Sequence, residues 1–186
     1  MVALLVSIAS VMAMADIDAS KYNLADQRVV ESANFNSTVT GWTLWKQCDS
    51  RWGSNGLGTC SQTICSAGCA MTSVAMFLNH KGCSKDPGTL NSWLKSNGGY
   101  SGGCNINWAS VDKLGYSTFM GKQTPTETEM CNGIAAGHGL VANVHNGGHW
   151  VLLTGCAGGG VFYVNDPGYS TTTYKKSDIV DLAVYH

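Results

Sequence analysis

Three residue types in a fixed order could do covalent chemistry in this chain. Cys69 sits in Ser66-Ala67-Gly68-Cys69-Ala70-Met71-Thr72, where the pattern turns helical. His149 follows Gly147-Gly148 and opens the apolar run Trp150-Val151-Leu152-Leu153, and Asp166 stands in Val164-Asn165-Asp166-Pro167-Gly168. A thiol, an imidazole and a carboxylate are the parts of a cysteine nucleophile system. A thiol attacks as its thiolate, and both a helix N-terminus and a nearby imidazolium favour that form. Cys69 has the first by position. Gly68 lets the backbone turn sharply into the helix and leaves room for a substrate, and small Ala70 keeps the mouth open.

His149, at a strand edge after two glycines, can face a cleft while its neighbours are buried. His138 and His145 are its competitors, each also beside a glycine. His145 is expected to continue the strand and share a face with His149. Asp166 ends the next strand across a hairpin, which places its carboxylate beside His149 if the two strands pair. There it would orient the ring, as the third member of a triad does. Asn165 is the rival, because an amide can orient a ring too. An oxyanion needs a donor besides the backbone N–H of the nucleophile. Gln47 and Gln62 are the candidates.

These residues need an α+β frame. The run from Cys69 to Leu78 is apolar around almost its whole circumference, which predicts a central helix closed by His80-Lys81-Gly82. Asp86-Pro87 opens a second helix through Leu94. Asn107 caps a short third over Trp108–Leu114, and Thr126-Glu127-Thr128-Glu129 opens a fourth that runs to Ala136. Leu140 to His145, His149 to Cys156, Val161 to Asn165, Thr171 to Tyr174 and Ile179 to Tyr185 read as strands, with glycine-rich turns between them. Helices first and hairpin-linked strands second predict a mainly antiparallel sheet.

The chain of 186 residues fits one domain, expected over 41–186. Residues 16–40 read as a linker or pro-segment-like arm. Met1–Ala15 is uncharged and ends in Ala13-Met14-Ala15, the pattern of a signal peptide, which predicts a secreted, extracellular protein. The segment is shorter than the ~20 residues of a membrane helix. Charged residues are 12% of the chain and the net charge is −1, which argues against nucleic acid and against an anionic membrane surface as partners. So little charge also permits self-association, such as a homo-oligomer or filament through the N-terminal arm. Asn36-Ser37-Thr38 is a glycosylation sequon, with Asn36 the acceptor.

Eight cysteines in an oxidising compartment predict disulfides. If Cys69 is a free nucleophile, an odd number is left and one further thiol must stay unpaired. No paired CxxC motif is present, so no structural zinc is expected, and the reaction needs no cofactor.

The ordered set resembles the papain-like cysteine peptidases of the C39-like type, the family of the double-glycine leader peptidases. Four pieces carry the resemblance: Trp45-Lys46-Gln47-Cys48-Asp49-Ser50-Arg51-Trp52, Ala67 to Met76, His149 to Gly155, and Val164 to Pro167. They span roughly residues 42–170. The resemblance implies a papain-like fold with Cys69 as nucleophile, His149 as general base and acid, Asp166 as orienting carboxylate and Gln47 as oxyanion donor. The substrate would be a peptide or protein. Ala70 and Met71 stand where the family has Gly and Pro, and bulky Met71 would narrow the cleft. The other reading of the fold is an inactive, disulfide-stapled structural, self-assembling or binding subunit.

Overall fold

A computed structural model describes residues 37–38 and 41–186. The expected signal peptide, the sequon at Asn36 and most of the arm expected over 16–40 lie outside the described residues.

Two halves meet face to face. The first is helical. Thr63 caps a single turn, α1 (Ile64–Ala67), with a reciprocal capping box to Ser66. Gly68 then joins α1 to α2 (Cys69–His80). A Cβ at Gly68 would lie 2.5 Å from the Ile64 carbonyl oxygen. The missing side chain therefore serves the close approach of α1, which corrects the expectation that it makes room for a substrate. From Met71 to Leu78 every α2 residue is buried. An apolar run with no polar stripe has to be enclosed on all sides, and α2 is covered by β-strands on one side and α3 (Pro87–Ser96) on another. Phe77 stacks on Tyr185 with ring centroids 5.3 Å apart. Asp86 caps α3 by accepting from Thr89 N–H at 2.8 Å, with Pro87 at the first helical position.

A short hairpin, β2 (Tyr100–Ser101) with β3 (Asn105–Ile106), leads into Trp108–Leu114. That segment is a 3-10 helix closed by left-handed Gly115. Then comes β4 (Phe119–Gln123), a strand the sequence did not predict, and α4 (Glu127–Ala135), capped by Thr126 and Glu129. Phe119–Gln123 escapes a pattern reading because its pairing slips between Phe119 and Lys122 and so breaks the alternation.

The second half is a largely antiparallel sheet formed by β5 (Gly139–Val144), β6 (His149–Gly158), β7 (Val161–Asn165), β8 (Thr173–Lys175) and β9 (Asp181–Tyr185), with β4 at one edge. The order is β4-β9-β5-β6-β7-β8, and β1 (Ser37–Thr38) adds to β6 opposite Cys156 and Gly155. The sheet is buried on both faces. Leu152, Val141 and Ala183 face α2, whereas Val151, Leu153 and Leu140 pack with Met130 and Ile134 of α4. This is the α+β, papain-like frame expected from the sequence: a cysteine-bearing central helix laid against an antiparallel sheet.

Three disulfides form, Cys48–Cys65, Cys60–Cys104 and Cys131–Cys156. Cys69 and Cys83 are free. Cys83 is 2% exposed.

Candidate active site

The cleft lies at the seam between the halves and holds about 720 Å³. Gln47, Cys69 and Ala70 line it from the helical side, and His149, Trp150 and Gly168 from the sheet side. Met71 is 2% exposed and points into the core. The expectation that it narrows the cleft is therefore wrong. At about 100° per residue a position two along from Cys69 lies on the far side of the helix.

Cys69 is the first residue of α2, where backbone N–H groups lack partners within the helix. Its sulfur is half-buried and lines the cleft with His149, close enough to help raise the pKa of that ring. His149 opens β6 and is held at the seam by pairing of Val144 with His149 on one side and Leu152 with Asn165 on the other. Its Nε2 lies 2.7 Å from Asp166 Oδ1. That leaves Nδ1 as the ring atom for the thiol. Burial by itself would lower the pKa of His149. The hydrogen bond to Asp166, then the interaction with Cys69, outweighs it and pushes the value up to about 9.

Asp166 is fully buried. Burial works against its charge, but the His149 hydrogen bond and the backbone N–H groups of Tyr169 and Gly168 hold its carboxyl below the usual range. The loop around it is tied to the first half of the chain. Lys46 Nζ donates to the Asp166 carbonyl at 2.7 Å and also to the Tyr169 carbonyl, and Gln47 N–H donates to Pro167 O at 2.9 Å. Gly168 presses on the site, since a Cβ there would lie 2.9 Å from His149 Cε1.

Gln47 is 8% exposed. Its Nε2 donates to Cys65 O at 2.6 Å, and its Oε1 has no partner. Gln62 also lines the cleft. Asn165 turns away and donates to Thr43 O at 3.1 Å. His138 packs edge-on against His186, with centroids 4.5 Å apart, outside the cleft. His145 does not continue the strand as expected. It sits with φ 54° in the turn between β5 and β6, and its ring reaches back to within 5.6 Å of the His149 centroid. The expected strand-face relation fails because the turn starts one residue early. Sequence reasoning missed Lys46 and Tyr174. Lys46 adjoins a candidate and could have been weighed. Tyr174 carries no local signal, because it reaches Asp166 only through the pairing of β7 with β8.

Among the described residues no cluster of three or more His, Cys, Asp or Glu could hold a metal. No helix among them is long and apolar enough to cross a membrane.

No curated protein matches the chain. Its fold is similar to the crystal structure of a candidate C39-like peptidase from Bacillus anthracis. The two share 15% identity at a TM-score of 0.52, over 80% of this chain and 96% of the other. Identity that low speaks for the fold alone. The model of the Peptidase_C39 like family matches residues 43–185, a span that includes Gln47, Cys69, His149 and Asp166. The chain belongs to the Peptidase_C39 like family.

Proposed function

We propose that the chain is a secreted cysteine peptidase or amidase whose triad is Cys69, His149 and Asp166. The observation that carries this reading is the His149 ring, held between the Cys69 sulfur and the Asp166 carboxylate at the mouth of a cleft. The substrate is a peptide or protein, as family membership suggests.

The Cys69 thiolate attacks the scissile carbonyl carbon while His149 carries the proton. The oxyanion takes donors from the Cys69 backbone N–H and from Gln47 Nε2. One Nε2 hydrogen goes to Cys65 O, and the amide has a second to offer. Collapse of the adduct breaks the C–N bond, and His149 passes its proton to the leaving amine. Water, deprotonated by His149, then attacks the thioester and frees the acid and the thiol. Secretion is supported by the apolar Met1–Ala15 segment and by three disulfides.

Treatment of the oxidised protein with iodoacetamide or an E-64-type epoxide, followed by peptide mapping, tests the reading. Modification at Cys69, loss of peptide cleavage with it, and no cleavage by Cys69→Ala support it. An unreactive Cys69 in a folded protein overturns it.

A second reading has one observation in its favour: the Gln47 amide is already engaged by Cys65 O, and its carbonyl faces the site without a partner. On that reading the fold is an inactive, disulfide-stapled binding or self-assembling subunit. An unreactive Cys69 would select it.

A further inference from the structure

The Asp166 carboxylate has two oxygens with different duties. Oδ1 accepts three bonds: His149 Nε2 at 2.7 Å, Gly168 N–H at 2.8 Å and Tyr169 N–H at 2.8 Å. Oδ2 accepts from the Tyr174 hydroxyl at 2.9 Å. Tyr174 has a single hydroxyl hydrogen, and the carboxylate takes it. The contact between the Tyr174 oxygen and His145 Nε2, 3.2 Å long, must then run from a His145 N–H to the tyrosine oxygen. That assigns a proton to His145 Nε2.

The backbone gives an independent sign. His145 and Asn146 both have φ 54°, in the left-handed region that few residues other than glycine occupy. His145 is exposed, so burial does not explain the strain. What the strained turn delivers is the ring, 5.6 Å from the His149 centroid, 5.6 Å from that of Tyr174 and 5.1 Å from that of Tyr169. Strain of this kind persists where the surrounding structure over-determines it.

We propose that Tyr174, backed by His145, is a positioning residue that fixes the plane of the Asp166 carboxylate and so keeps Oδ1 on His149 Nε2. The proposal rests on the peptidase reading and deepens it. Without the hydroxyl, Oδ2 is a buried charged acceptor with no protein donor. The carboxylate then rotates to share its donors, and its grip on the imidazolium weakens. The titratable groups that face the His149–Asp166 pair are Cys69 from α2, His145 and Tyr169 from the loops and Tyr174 from β8, with Lys46 on the carbonyls of Asp166 and Tyr169.

The test is the titration of the His149 ring by NMR in the full-length protein, beside steady-state kinetics and thermal melting. In the parent the ring is expected to titrate well above the ordinary imidazole range, at about 9. Tyr174→Phe keeps the ring and its packing. It is expected to lower the His149 pKa by about one unit and kcat about tenfold, with KM unchanged, which is the worth of one charge-assisted hydrogen bond. His145→Gly is expected to shift the titration in the same direction by less. It should leave the melting temperature unchanged or higher, because glycine accepts the left-handed backbone. A purely structural role gives the reverse pattern, with lower melting temperatures and an unmoved titration, and overturns the proposal. A His149 pKa that rises in Tyr174→Phe also overturns it. If Tyr174→Phe fails to fold, His145→Gly decides alone. The titration needs no turnover, so a protein that shows the shift but never cleaves a peptide sinks the peptidase reading and leaves the positioning role standing.

Discussion

The side-chain amide of Gln47 donates to the backbone carbonyl of Cys65 at 2.6 Å, and the residue after Gln47 is disulfide-bonded to that same Cys65. The loop that bears the amide is thus fastened twice to the turn that precedes the Cys69 helix. A donor held this way can meet developing negative charge without reorganising. Gln47→Ala is expected to lower kcat about 10²-fold with a much smaller effect on KM, the usual cost of removing one oxyanion donor. Steady-state kinetics on a peptide substrate check this, and an unchanged kcat removes Gln47 from the mechanism.

The His149–Asp166 pair sets a pH window. In the proposed mechanism the imidazolium protonates the leaving amine, so kcat/KM is expected to fall as pH rises through about 9. Asp166→Asn removes the strongest interaction that raises this value, and the limb should move to lower pH with a rate loss of more than about tenfold. The same shifts act on stability. His149 has a folded pKa above its unfolded value near 6.5, so its contribution is full below about 6.5 and is lost as pH rises through about 9. Asp166 has a lowered one, so its contribution is present above its unfolded value near 3.8 and is lost as pH falls. Melting temperatures across pH should decline at both ends, and the alkaline decline should be shallower in Asp166→Asn.

Gly168 is a position where one methyl group would act on the site. A Cβ there would lie 2.9 Å from His149 Cε1 and 3.4 Å from Gln47 Oε1. Gly168→Ala should displace the imidazole from its partners and cut kcat at least about tenfold, since small misplacements of reacting groups are expensive. Circular dichroism and melting should show the fold intact. Full activity in Gly168→Ala would mean that the ring has more room than this packing allows.

The Cys131–Cys156 disulfide ties α4 to β6 on the sheet face away from α2. A double replacement by alanine is expected to cost about 2–4 kcal/mol of stability. Because neither cysteine lines the cleft, kcat should not change. Urea unfolding and kinetics on the same sample separate the two effects, and a lost kcat in a folded protein would link that face to the site.

The two cysteines outside the disulfides should differ sharply in reactivity. Cys69 faces the cleft, and Cys83 is 2% exposed. Alkylation of the native, oxidised protein should modify Cys69 alone, with Cys83 reacting only after denaturation. Mass spectrometry of the labelled peptides reads both at once.

Much of this arrangement is legible in the sequence. The apolar run after Cys69 announced a buried helix with a thiol at its start, and Asp166 stood one hairpin beyond His149, where antiparallel pairing brings it back. Those signals are local, or one turn removed from local. Gln47 and Gln62 could not be separated by residue type, and both do line the cleft. Other parts were hidden because they depend on register or on distant chain. Tyr174 meets Asp166 only because Phe162 pairs with Tyr174 across β7 and β8. The pairing of the cysteines follows from how loops stack, which no spacing encodes. The start of the turn at His145 is hidden because the apolar run reaches Val144, whereas the Asn146-Gly147 pair marks only the turn that follows.

The seam between the two halves has a consequence for how the molecule comes into being. The thiol is made early in the chain and the groups proposed to ionise it are made late, on strands that pair only once the sheet is assembled. A chain still emerging, or one whose sheet has opened, carries a sulfur with no base beside it. On the peptidase reading, cleavage of peptides would therefore begin only once the sheet is assembled.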